Sequence, residues 1–228
     1  MSSTELRTAR TGKGLTQAQA AVRLGVSQPY VAMLERGERR LTPRLARRVA
    51  RLYGLSPTAV PPSSAVAESR GAAELTSDLA ALGYPGFTHM RPRRWALKNP
   101  AEVLLAALAQ DDLEPRLVEA LPWLLLHYAP LDREWLVREA KVRDLQNRLG
   151  FVVGLSRGLA ERVGARDEAT ALAALEASLE RSRLAREDTL CRASLPEAER
   201  RWLQHNRSDD ARRWNLLTDW TVNALRYA

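Results

Sequence analysis

The side chains that ordinarily do chemistry are few here and badly spaced for it. His89, His127 and His205 stand far apart, and none falls into HExxH or a comparable ligand spacing. The one cysteine, Cys191, excludes an internal disulfide framework and any multi-cysteine metal site, and it has no local nucleophile signature. A single thiol fits a reducing compartment. Gly150, Gly154 and Gly158 recur at every fourth position. Without a Gly-Lys-Ser/Thr ending or a preceding strand they make no phosphate loop, but the spacing permits another element to approach a helix closely. The acid pairs Asp111-Asp112 and Asp209-Asp210 fall at expected helix starts, where they suit the helix dipole better than acid–base work. The expectation is no catalytic residue, no metal, no cofactor and no enzyme.

Charge is more informative. The 228 residues carry a net charge of +8. Residues 1–60 hold eleven Lys and Arg (Arg7, Arg10, Lys13, Arg23, Arg36, Arg39, Arg40, Arg44, Arg47, Arg48, Arg51) against three acids, Glu5, Glu35 and Glu38. The other residues balance at 24 basic and 24 acidic. A compact basic segment on a neutral body is the footprint of a polyanion binder. At 45% hydrophobic residues the chain can bury a core. The N-terminus lacks the apolar stretch of a signal peptide, and the apolar run at 121–126 is too short to span a bilayer. A cytoplasmic protein without membrane association is expected.

Helical elements must position these residues. Pro57, Pro61 and Pro62 stop any helix near residues 55–64, which places the boundary between domains there. Residues 1–60 form one domain, 61–70 a linker and 71–228 a second domain. Asn99-Pro100 opens a helix over AEVLLAALA. A second runs from Pro115 to about Tyr128, with a kink expected at Pro122. Asp132 caps a third, with apolar positions Trp135, Leu136, Val142, Leu145 and Leu149, and this helix is read as open to continuation past Gly150. Leu172, Leu175 and Leu179 mark a further stripe, and Pro196 opens another helix. A last helix starts at Ser208 or Asp209 and carries Trp214, Leu217, Trp220, Val222 and Leu225. No alternating strand pattern or hairpin signal appears. The fold class is all-α. Most of Trp95, Trp123, Trp135, Trp202, Trp214 and Trp220 are expected as core anchors, with a ligand pocket or dimer interface open for some. The loop at 83–100 holds Arg91, Arg93, Arg94, Trp95 and Lys98, open to phosphate contacts or a protein partner.

Within the basic segment, LTQAQAAVRLGVSQPYVAMLERGERRLTPRLARRVARLYGLSP makes function readable. Thr16 precedes a short helix that ends at Gly25. Ser27 caps a second, with Pro29 near its start and Val31 and Leu34 on its inner side. Thr42-Pro43 starts another with Leu45, Val49 and Leu52 inward. Two short helices about a Gly turn make a helix-turn-helix, with small Ala20 and Ala21 where the helices approach. The start of the second helix is then free to enter a major groove.

The segment resembles the XRE family of lambda-repressor-like helix-turn-helix proteins. The matching features are Leu15-Thr16-Gln17, Ala20 or Ala21, Leu24-Gly25-Val26-Ser27, Tyr30-Val31, Leu34-Glu35-Arg36-Gly37 and Ala50, Leu52, Gly54, Leu55. The resemblance covers residues 4–60 without a gap. It implies a lambda-repressor-like bundle for this region alone; the larger helical domain that follows is read from its own helical stripes and carries no family resemblance. The resemblance also implies roles. Gln17 would bond a DNA phosphate. Gln28 would read a base edge, with Pro29 and Met33 at the other groove-facing positions. Pro29 departs from the polar residue often found there. Met33 offers only an apolar contact, which leaves more of the recognition to DNA shape. Arg36, Arg39, Arg40 and Arg44 would clamp phosphates, and Tyr30 would touch the backbone or only pack. Arg10 and Glu35 would form a structural ion pair. Arg47, Arg48 and Arg51 are open between an exposed face and DNA.

The expected function is a sequence-specific DNA-binding transcriptional regulator, a homodimeric autorepressor that reads a palindromic operator with residues 27–36. The alternative is an antitoxin-like protein that represses its own operon and neutralises a partner toxin through the second domain. A small-molecule sensor is a third reading.

Overall fold

The computed structural model describes residues 3–63, 71–90, 97–129 and 131–227. Residues 64–70 of the expected linker, and the loop side chains Arg91, Arg93, Arg94 and Trp95, lie outside the described residues. The chain divides into two compact units, Met1–Ser64 with Ala96–Asn99, and Ala65–Trp95 with Pro100–Ala228. The fold is all-α, with an N-terminal helix-turn-helix bundle.

The first unit holds α1 (Ser3–Gly12), α2 (Gln17–Leu24), α3 (Gln28–Glu35) and α4 (Pro43–Tyr53). Each boundary has a local cause. Thr16, Ser27 and Thr42 are extended and accept the N–H of Gln19, Tyr30 and Leu45, so each short helix has a capped start. Thr16 and Gln19 complete a reciprocal capping box. Leu6, Leu15, Ala20, Leu24, Leu34, Leu45, Val49 and Tyr53 form the core, with one to three from each helix and Leu15 from the turn between α1 and α2. Asn99, also in this unit, donates from Nδ2 to the Val60 carbonyl at 2.6 Å.

The second unit is built on two helices that are buried nearly all round, α6 and α9. Helix α5 (Ala72–Ala81) precedes them and has no counterpart among the helices expected from the sequence. Every residue of α6 (Pro100–Leu108) is buried, so it is a core rod rather than an amphipathic surface helix. Helix α7 (Pro115–His127) runs through Pro122 as one element. Among the three histidines, His127 stacks on Trp123 with ring centroids 4.6 Å apart.

The third helix expected from the sequence is two helices, α8 (Arg133–Val142) and α9 (Gln146–Val163). Asp144 takes φ +56°, and Leu145 N–H reaches back to the Ala140 carbonyl at 2.9 Å. This is a left-handed C-terminal stop, which a short polar residue tolerates. Val142, expected to face inward, is 73% exposed because the chain turns just after it. The continuation past Gly150 does occur, inside α9. Helix α10 (Arg166–Glu180) packs along α9.

The expected last helix is corrected most. After β1 (Asp188–Thr189) and α11 (Glu197–Asn206), helix α12 covers only Asp209–Arg213. Asn215 then turns left-handed at φ +52°, and β2 (Leu216–Leu217) pairs in parallel with β1. Trp220 and Leu225 follow in irregular chain, and Val222 in a single 3₁₀ turn. The short strand pair also corrects the expectation of no strands. Of the tryptophans expected for the most part as core anchors, Trp123, Trp135 and Trp214 are buried, whereas Trp202 is 54% exposed.

Two polar side chains fasten the tail end to α9. Arg148 donates to both Asp188 oxygens at 2.7 and 2.9 Å, and to the Leu108 and Gln110 carbonyls at 2.8 and 2.9 Å. It thereby satisfies carbonyls at the end of α6 that no helical N–H can reach. Asn147 exchanges two hydrogen bonds with the backbone of Leu184. The glycine series is explained by what lies on it. A methyl carbon at Gly150 would sit 2.3 Å from the Trp214 ring, and one at Gly158 would sit 2.7 Å from Val222.

Candidate nucleic-acid interface

The turn between α2 and α3 sets the geometry of the basic unit. Gly25 has φ +61°, and Val26 N–H bonds the Ala21 carbonyl, which closes α2 and releases the chain at Ser27. Ala20 and Ala21 are fully buried beneath the crossing, where larger side chains would hold the helices apart. The Arg48 guanidinium of α4 lies over this turn, 2.9 Å from where a Cβ on Gly25 would stand. Arg48 thus packs against the turn, a placement that no local pattern in the sequence signals.

Helix α3 buries Val31 and Leu34 and turns its other side outward. Gln28 and Pro29 are exposed on its first turn, and Met33 is half-buried one turn later. These three expected groove-facing residues share one outward surface. Tyr30 is half-buried and packs against the core of this unit. Arg36, Arg39, Arg40 and Arg44 are all exposed. Arg36 is held by Glu38, Nε to Oε1 at 2.5 Å and Nη2 to Oε2 at 3.1 Å. Both partners are more than half in solvent or close to it, so a phosphate can exchange for the carboxylate at little cost. Among the described residues Arg39, Arg40 and Arg44 make no ion pair, which leaves their charge available.

Arg10 and Glu35 meet across 25 positions. Arg10 Nε donates to Glu35 Oε1 at 2.6 Å and Nη2 to Oε2 at 3.0 Å, while Nη1 bonds the Leu15 carbonyl. Their side chains are 9% and 3% exposed, so the pair lies inside the bundle and off the outer surface. Burial raises the Glu35 carboxyl, but hydrogen bonds from Arg10 and Gln17 and the charges of Arg10 and Arg7 outweigh it and hold the carboxyl below its ordinary value. The Arg10 guanidinium is correspondingly raised, chiefly by its hydrogen bond to Glu35.

Gln17 joins the same group. Its Nε2 donates to Glu35 Oε2 at 3.0 Å. One amide N–H expected for a phosphate is therefore turned inward, and the side chain is half-buried. The second amide N–H and the backbone N–H groups of Gln17 and Ala18 remain as donors at that helix end, the Gln19 N–H being taken by the Thr16 cap. The Gln17–Glu35 bond was not legible from sequence spacing, because it joins the starts and ends of different helices. Arg47 is half-buried, and Arg51 is exposed.

The arrangement defines a class: a four-helix bundle whose capped second motif helix presents its first turn beside unpaired arginines is a helix-turn-helix DNA-binding module. Residues 6–60 match the family model described as helix-turn-helix, of the XRE type. That match supports a DNA-binding transcription regulator. No curated protein matches the chain, and no solved structure does.

Among the described residues, no three His, Cys, Asp or Glu side chains come together as a metal site. No helix among them is long and apolar enough to cross a membrane.

Proposed function

We propose that this protein is a sequence-specific transcription regulator that represses its own gene as a homodimer, reading the major groove with α3. The observation that carries this reading is the exposed first turn of α3. Gln28 stands there on a helix start fixed by the Ser27 cap and the Gly25 turn. A carboxamide in that place can pair bidentately with adenine N6 and N7. Arg39, Arg40 and Arg44 supply phosphate contacts that set register without reading sequence. Arg10, Glu35 and Gln17 hold α1, α2 and α3 together and keep α3 at a fixed angle.

A single module of this size binds weakly, so two copies across a two-fold axis suit a palindromic operator with half-sites about one helical turn apart, or a multiple. The charge-balanced second unit supplies the contact between copies in this reading.

The test is fluorescence-polarisation binding to the DNA upstream of its own gene against scrambled DNA, over a salt series. Wild type should prefer the upstream DNA and saturate at two chains per site. Gln28→Ala should lose about 1–3 kcal/mol of discrimination, roughly 5- to 150-fold. Arg40→Ala should weaken both DNAs alike and reduce the salt slope by about one. Equal binding to both DNAs by wild type, unchanged by Gln28→Ala, would remove the proposal.

A further inference from the structure

The second unit contains a cleft of about 600 Å³ that the DNA-binding reading does not use. Leu113, Val118, Leu190, Leu203 and Leu217 form its apolar part. Trp220, half-buried, and Asp219, exposed, lie together on the same wall, in the chain that follows β2. The charges lining it are unequal in their engagement. Arg192 is chelated by Glu199, Nη1 to Oε1 at 2.5 Å and Nη2 to Oε2 at 2.9 Å, so that pair is neutral. Asp219 has no hydrogen bond or ion pair among the described residues. The cleft therefore offers an apolar bed, an indole and one uncompensated carboxylate.

We infer that this cleft binds a small hydrophobic cation, an organic ammonium on an apolar or aromatic body. The apolar bed removes the body from water. The carboxylate of Asp219 takes a charge-assisted hydrogen bond from the ammonium, and the indole of Trp220 attracts the same charge through its ring quadrupole. A carboxylate ligand of the same shape meets repulsion from Asp219 and would reach Arg192 only by displacing Glu199 from its two hydrogen bonds. The wall carrying Asp219 and Trp220 is also the segment seated on α9, through Trp214 on Gly150 and Val222 on Gly158. A bound cation would bridge that segment to α7 and α11 and so stiffen the second unit. The site is independent of DNA binding and stands or falls without it.

Three ligands of one shape separate the terms: 1-naphthylmethylammonium, 1-naphthylmethanol and 1-naphthoate, each titrated calorimetrically into the full chain at fixed ionic strength. The ammonium should bind about tenfold tighter than the alcohol, and the naphthoate more weakly than the alcohol. Asp219→Asn, an exposed position, should remove most of the ammonium's advantage over the alcohol and leave the alcohol unchanged. Trp220→Leu should weaken the ammonium more than the alcohol. Equal affinity for all three ligands, tightest binding by the naphthoate, an unaltered ammonium affinity in Asp219→Asn, or no binding at millimolar ligand would each overturn the inference. Thermal melts of both variants separate a lost site from a lost fold.

Discussion

Replacing a glycine inside a helix by alanine normally stabilises, by about 0.5–1 kcal/mol, because the unfolded chain loses freedom and the helix gains a better former. Helix α9 provides three such glycines at i, i+4 and i+8, and the structure gives them different outcomes. At Gly154 the added methyl would lie 3.5 Å from Glu176 Oε1, ordinary contact, so Gly154→Ala should stabilise by the usual amount. At Gly150 it would lie 2.3 Å from both Cη2 and Cζ3 of Trp214, whose side chain is only 1% exposed. That overlap exceeds what a packed ring can yield, so the indole must leave its seat. Losing a buried Trp costs about 3–5 kcal/mol. Less the helix gain of about 1 kcal/mol, Gly150→Ala should destabilise by about 2–4 kcal/mol. For a unit of this size that lowers Tm by roughly 5–15 °C. Gly158→Ala should fall between, since Val222 sits on a single 3₁₀ turn that can shift. The assay is urea and thermal unfolding followed by helix circular dichroism. Gly150→Ala combined with Trp214→Leu should cost less than the sum of the two alone. If Gly150→Ala and Gly154→Ala both stabilise, the seat of Trp214 on α9 is wrong.

Glu35→Gln should destabilise the first unit by about 3–5 kcal/mol, because it strands a buried guanidinium, and its thermal melt reads this directly. Since the folded Glu35 carboxyl is held below its unfolded value, its stabilisation is complete above the ordinary carboxylate pKa of about 4.3 and fades as pH falls through the lower folded value. Melts between about pH 7 and pH 2.5 should therefore show a steeper acid loss in wild type than in Glu35→Gln. Gly25→Ala should cost about 1 kcal/mol or more from its left-handed φ, with Arg48→Ala relieving the contact but not the backbone strain. Cys191 is fully buried, and burial foremost pushes its thiol up to about 12. It should not react with a thiol reagent near pH 8 until the second unit unfolds, and labelling kinetics in urea would check this. Arg148→Met should destabilise the second unit by several kcal/mol, since Asp188 and the Leu108 and Gln110 carbonyls lose their shared partner.

The sequence by itself determined the first unit closely. Its signals are local: Thr16, Ser27 and Thr42 bond N–H groups three residues on, and Gly25 and Gly54 close helices in left-handed geometry. Such bonds lie within one turn of chain, so residue type and spacing suffice to read them. The outward placement of Gln28, Pro29 and Met33 follows from the same helical period. The charge excess of residues 1–60 is composition alone. Contacts across the bundle were another matter. Arg10 with Glu35 came through a family resemblance, and the turn of Gln17 toward Glu35 emerged only when three helix ends were brought together.

In the second unit, periodicity found most helices but not their ends. Trp214, Leu217, Trp220 and Leu225 have spacings that a helix would accept. Tertiary structure decided otherwise, since Trp214 buries its ring on Gly150 and Leu216–Leu217 satisfy backbone groups against Asp188–Thr189. Asp144 and Asn215 permit the two left-handed stops, but many such residues sit in helices without stopping them. The choice falls to partners 28 to 64 positions away in sequence, whose energy no window of local sequence contains. The cleft with Asp219 and Trp220 exists for the same reason: its walls come from helices and loops that only the folded chain sets side by side.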